Sequence, residues 1–131
     1  MPSSKRLADP SSPLILVIDD AEDSREVYVQ YLEHLGLRSV TAADGEDGIE
    51  KAFAMRPSII VLDLSLPKID GWEVTRRLKA DPATRAIPVI AVSGHAQPEQ
   101  KRRAAEAGVD EYCVKPCTPE DLMAMIQRHL R

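Results

Sequence analysis

Asp19, Asp20, Asp63, Ser93 and Lys115 each stand at the end of a short, mostly apolar run. Carboxylates brought together repel one another and call for a cation. A hard divalent ion with oxygen ligands suits them, and Mg²⁺ characteristically takes one or two carboxylates while keeping several waters. Lys115 offers a compact positive charge for a phosphate, and Ser93 offers a hydroxyl. A carboxylate such as Asp63 can act as a nucleophile and carry a phosphoryl group as an acyl phosphate. Taken singly, each residue has a plainer reading. Asp19 and Asp20 can cap a helix, Asp63 can serve a turn with Pro67 and Asp70-Gly71, Ser93-Gly94 can be a turn, and Lys115 before Pro116 can be a solvated lysine. Separate plain readings at four of the five strand ends are a weaker account than one shared site.

The elements that must position these residues follow from the pattern. Residues 59–62 are continuous β-branched and leucine positions, the mark of a central parallel strand covered on both faces. Residues 14–18 form a second such strand, 38–42 a short third, 87–92 a fourth and 111–114 a fifth. Between them the spacing predicts helices. The first opens on Glu22, Asp23 and Ser24, with Val27, Tyr28, Tyr31, Leu32 and Leu35 as its buried face and Gly36 as its stop. The second starts at Asp44, with Asp47 three residues on, and buries Ile49, Ala52 and Phe53. The third is capped by Asp70 with Glu73 and stopped by Asp81-Pro82. The fourth, residues 98–107, is polar and alanine-rich and is expected to be the least firmly held. The fifth is capped by Thr118, has Pro119 in its first turn, and buries Leu122, Met125, Ile126 and Leu130. Alternating strands and helices with right-handed crossovers give a parallel sheet with helices on both faces, and its C-terminal edge gathers the polar strand ends.

The chain has 131 residues, enough for one domain with a real core. Residues 1–13, rich in Ser and Pro, read as a mobile tail, leaving 14–131 as the domain. A net charge of −4 speaks against sequence-independent DNA binding, which needs a basic face. No apolar run approaches a membrane span, and no signal-peptide core opens the chain, so a cytoplasmic protein without membrane contact is expected. Cys113 and Cys117 lack His partners for zinc and are read as reduced packing residues.

Five stretches carry a resemblance: ILVIDD (15–20), IIVLDLSLPKIDGWE (59–73), IPVIAVSG (87–94), AGVDEYCVKP (107–116) and TPEDL (118–122). On these motifs, residues 14–130 resemble the receiver domains of two-component response regulators, such as the single-domain chemotaxis regulator. The resemblance implies an α/β, flavodoxin-like (βα)5 fold with strand order 2-1-3-4-5. It implies that Asp63 accepts a phosphoryl group from a histidine kinase or histidine phosphotransfer protein. It implies Mg²⁺ held by Asp20 and Asp63 directly, by Asp19 through water and by the Ser65 backbone carbonyl. Ser93 would close onto the phosphate, Lys115 would pair with it, and Tyr112 would turn inward on activation. The Lys115–Pro116 peptide would be cis. Ser65 and His95 fall at positions that modulate acyl-phosphate lifetime in the family, and neither is an amide or carboxylate that could orient water. Output to a downstream protein would run through the 98–107 helix, the Tyr112 strand and the last helix.

Other classes fit less well. Phosphatases with a strand-end Asp nucleophile resemble D-x-D, and here Ser65 stands where the general acid would be, so turnover of outside substrates is not expected. A flavodoxin-type cofactor carrier would need a Gly/Ser/Thr-rich phosphate cradle in place of these acidic loops. A receiver working without phosphate would not need Asp20, Asp63, Ser93 and Lys115 together. Whether the chain acts alone or belongs to a hybrid kinase or larger regulator stays open at this point, with Met1 leaning towards the former.

Overall fold

A computed structural model describes residues 11–130. Five strands and five helices alternate along it: β1 (Leu14–Ile18), α1 (Glu22–His34), β2 (Arg38–Ala42), α2 (Gly45–Met55), β3 (Ile59–Asp63), α3 (Gly71–Ala80), β4 (Val89–Ser93), α4 (Pro98–Ala107), β5 (Glu111–Val114) and α5 (Pro119–His129). All strand pairs are parallel, in the order β2-β1-β3-β4-β5. The expected topology is therefore the one observed.

The period of two along each strand divides the core in two. Leu16, Ile18, Ile60, Leu62, Val89 and Ala91 pack on one face, against α2, α3 and α4. Ile15, Val17, Ile59, Val61, Ile90 and Val92 pack on the other, against Leu32 of α1 and Leu122 and Ile126 of α5. A central strand must feed both layers, which is why β3 is buried at all five positions and reads as an unbroken apolar run.

The helix caps follow the sequence. Asp44 accepts from the Asp47 amide at 2.8 Å, Asp70 from Glu73 at 2.9 Å and Thr118 from Asp121 at 3.1 Å. Gly36 and Gly108 take positive φ at the ends of α1 and α4. Gly71 is required for another reason. A Cβ there would lie 2.6 Å from Leu64 Cα and 2.9 Å from the Asp63 carbonyl oxygen, so α3 starts hard against the end of β3.

Several expectations are corrected. β4 begins at Val89, because Pro88 has no N–H to give the ladder, although its carbonyl accepts from the Ile60 amide at 3.0 Å; the Val89 amide donates to Asp110 Oδ2 at 2.8 Å. The predicted apolar face of α1 is too wide. Leu32 is buried, whereas Val27 is 59% and Leu35 36% exposed. Phe53 of α2 is likewise 38% exposed. All three lie off the stripe that meets the sheet. Residues 1–10 of the expected tail lie outside the described residues, but Ser12 and Pro13 are held, their carbonyls accepting from Arg38 Nε and N.

The cysteines are not two reduced packing residues. Cys113 and Cys117 are joined by a disulfide, with Cα atoms 5.8 Å apart. Four residues of extended strand would span roughly 13 Å. The turn through Lys115 and Pro116, whose peptide is cis as expected, folds the chain back and brings the sulfurs together.

Candidate functional site

The site is built where β1, β3 and β5 end. At the end of β1, the Asp19 amide donates to Ala42 O, and Asp19 Oδ1 accepts the Ala21 amide at 2.8 Å, which turns the chain into α1. Asp19 is buried and Asp20 is exposed beside it. Asp63 closes β3 and is only 6% exposed. Its Oδ1 accepts the Ser65 amide at 2.8 Å, while its Oδ2 lies 3.5 Å from Lys115 Nζ. One carboxylate oxygen from each of Asp19, Asp20 and Asp63 falls within 4.8 Å of the others.

This crowding has an electrostatic cost. Burial pushes the Asp19 carboxyl above its ordinary range. The Ala21 N–H and Lys115 oppose that shift, and the charges of Asp63 and Asp20 reinforce it. Three carboxylates thus face one half-exposed ammonium, a donor set of hard oxygens with a charge deficit that a small divalent cation fits. Asp19, Asp20 and Asp63 are the groups that could hold it.

Two neighbours escaped the sequence reading. Arg25 of α1 reaches back, its Nη1 donating to the Asp19 carbonyl at 2.8 Å. Tyr28 packs near the cluster, and burial followed by the charges of Asp19 and Asp63 raises its phenol pKa. The available signal was that a lone cation and an aromatic follow an acid-rich helix start, one turn apart.

Ser93 and Tyr112, expected at the phosphate site and the switch, both hydrogen-bond to His95. Ser93 is fully buried at the end of β4, and its Oγ accepts the His95 amide at 3.1 Å. Tyr112 donates its hydroxyl to the His95 carbonyl at 2.8 Å. His95 itself is exposed, as expected for a surface histidine. Among the described residues these three form a second group around the loop leading to α4. It is tied to the first group by backbone: the Lys115 amide donates to Ser93 O at 2.7 Å, and Val92 is the register partner of Asp63.

Known proteins share this fold. The family model for the response regulator receiver domain matches residues 15–127. The chain is 36% identical, over 91% of its length, to the DNA-binding dual master transcriptional regulator RpaA of Synechocystis, of which it spans 49%. It is 39% identical, over 87% of its length, to a gliding motility regulatory protein of Myxococcus xanthus, of which it spans 14%. The chain therefore spans half or less of the length of these relatives. Among solved structures, the receiver domain of a sensor histidine kinase of Pseudomonas aeruginosa superposes with a TM-score of 0.84 at 29% identity, covering 92% of this chain and 98% of that one, and it holds magnesium in its active-site cleft. The Vibrio cholerae chemotaxis protein CheY4 superposes with a TM-score of 0.87 at 28% identity, covering 92% of this chain and all of that one. With the flavodoxin-like order, the acidic cluster at the strand ends and the family match over most of its length, this chain belongs to the response regulator receiver domains of two-component signalling.

Proposed function

We propose that Asp63 is the phosphoacceptor and that its donor is a phosphohistidine on a histidine kinase or a histidine phosphotransfer protein. The observation that carries this is the placing of Asp63 Oδ2 3.5 Å from Lys115 Nζ, with oxygens of Asp19 and Asp20 in the same small cluster. The Ser65 amide fixes Oδ1 and leaves Oδ2 to attack phosphorus. The new O–P bond forms as the P–N bond breaks, and the imidazole leaves with the electron pair and picks up a proton. Lys115 neutralises charge on the transferred group, where positioning and charge compensation are most of the catalysis. Mg²⁺, held by Asp20, Asp63 and the Ser65 carbonyl with Asp19 behind a water, would supply further charge neutralisation. The chain then acts on itself only, gaining and losing its own phosphoryl group, and has no outside substrate.

Output is proposed to run through α4, the Tyr112 strand β5 and α5. A phosphoryl group on Asp63 adds negative charge and acceptor oxygens. Ser93 Oγ would exchange the His95 amide for the phosphate. The His95 carbonyl would then release the Tyr112 hydroxyl. A downstream protein partner reading that face fits better than direct nucleic-acid contact. The domain is taken to span residues 14–131, and we place it in the cytoplasm, where phosphoryl donors are made. Among the described residues no helix is long and apolar enough to cross a membrane.

The test is intact-mass measurement after incubation with acetyl phosphate. One added phosphate is expected with Mg²⁺ and none with a chelator. Asp63→Asn should abolish it, and Lys115→Ala should slow it. Full labelling of Asp63→Asn would refute the assignment.

A further inference from the structure

The disulfide lies beside the site, and nothing in the phosphoryl-transfer reading uses it. Cys113 is the third residue of β5, 4% exposed, and packs in the α1/α5 half of the core. Cys117 precedes Thr118, the residue that caps α5. The bond closes a small ring, Cys113-Val114-Lys115-Pro116-Cys117, and Lys115 is its central residue. The ammonium that, among the described residues, pairs with Asp63 is thus carried on a loop stapled at both ends. The sulfurs differ in access. Cys117 lines a groove of about 280 Å³ between α1 and α5, with Asp23, Ser24, Val27, Tyr28 and Leu122. Cys113 lies beneath, in the core.

We propose that Cys113 and Cys117 are a thiol–disulfide modification site that sets the competence of the phosphoacceptor site through Lys115. Small-molecule thiols and disulfides are the co-reactants. In reduction, the thiolate of a small dithiol attacks Cys117 Sγ from the groove. The Cys113–Cys117 bond breaks, and Cys113 leaves as a thiolate and takes a proton. The second thiol of the reductant then attacks its own sulfur in the mixed disulfide and releases Cys117. The protein gains two electrons and two protons, and the dithiol becomes a cyclic disulfide. A small-molecule disulfide reverses the sequence. In a reducing compartment a protein disulfide with a reachable sulfur is suited to sensing and not to permanent bracing.

The closed ring limits the backbone of Lys115 and keeps its ammonium near Asp63 Oδ2. Opening it frees that backbone and the entry to α5, and the ordering then has to be made during phosphoryl transfer. The oxidised form is therefore the faster acceptor. The difference expected is about two- to tenfold, the cost of immobilising one long side chain.

The kinetic arm of this inference rests on the reading of Asp63, so its test has two arms. The full chain is prepared oxidised with glutathione disulfide and reduced with dithiothreitol, and thiols are counted by mass after maleimide labelling. One arm measures the rate of phosphorylation by acetyl phosphate and Mg²⁺. The other records amide NMR shifts without phosphodonor or metal. Slower phosphorylation on reduction supports the proposal when Lys115 and residues 118–122 shift and Cys117→Ser behaves as reduced under both conditions. Equal rates in the two forms, or shifts confined to Cys113 and Cys117, overturn it. If thiol labelling shows that the bond does not form with glutathione disulfide, it is overturned as well. If neither form is phosphorylated, the reading of Asp63 fails, and the Lys115 shifts alone decide for or against the ring's hold on that lysine.

Discussion

Asp19 bears the cost of gathering the acids. Its folded pKa is raised above 3.8, chiefly by burial. As pH climbs through 3.8 towards the folded value, the native state keeps a proton that the unfolded chain has lost. Stability from this group therefore falls across that window and stays low above it. Asp19→Asn removes the charge but keeps an oxygen for the Ala21 amide. In metal-free buffer this variant should melt higher than the parent at pH 7, and the gap should close at pH values below about 3.8. Thermal melts in a chelating buffer across that range check the sign. A gap that is the same at all pH values would mean that packing, not charge, is responsible. The residues of this cluster were legible because polar groups end four of the five apolar runs, and one shared site accounts for them better than separate caps and turns. Arg25 was not, because its contact is with a backbone carbonyl and leaves no pattern in side-chain types.

At the scale of elements, α4 and α5 contrast. α4 buries only Ala104 and Ala107. Its further hold is Arg103, which stacks over Trp72 of α3 with 4.2 Å to the ring centroid. α5 buries Leu122 and Ile126 and is tied to β5 by Arg128 and His129 on Glu111. Arg103→Ala should cost about 0.5–1 kcal/mol, the worth of an exposed cation–π contact, and should speed amide exchange in α4 alone. Ile126→Ala should cost about 2–5 kcal/mol as a core truncation and lower global stability. Denaturant titration with hydrogen exchange separates the two. Exchange rising equally in α4 and α5 for Arg103→Ala would show that α4 is no separate unit. The weakness of α4 could be seen in its alanines. The wide misreading of α1 arose because Val27 and Leu35 are apolar enough for a core stripe, yet both are exposed, Val27 at the groove towards α5. The disulfide was missed because a strand carries residues four apart away from each other, and only the turn at Lys115–Pro116 reverses that.

At the scale of the molecule, the two groups of site residues are linked across β4 and β5, the acidic cluster with Lys115 on one side and Ser93, His95 and Tyr112 on the other. In the proposed output route this link acts as a two-state element that a local charge biases. Beryllofluoride, a phosphoryl mimic, should shift amides in residues 93–108 and around Tyr112, and Ser93→Ala should shrink those shifts. Shifts limited to the loops holding Asp20 and Asp63 would exclude this route. The strand order and the C-terminal edge were legible because parallel βα units leave few arrangements. The hydrogen bonds of Ser93 and Tyr112 to His95 were not, since they run to the backbone of a loop and leave no pattern in side-chain types.

The claim beneath all of this is that one carboxylate accepts the phosphoryl group. Borohydride reduces an aspartyl phosphate to homoserine, marking the position irreversibly. The chain is phosphorylated by a phosphohistidine donor or acetyl phosphate with Mg²⁺, reduced, digested and sequenced by mass spectrometry. The account predicts homoserine at position 63 and nowhere else, and none when Mg²⁺ is withheld. Homoserine at position 19 or 20, or phosphate that borohydride does not trap, would contradict it.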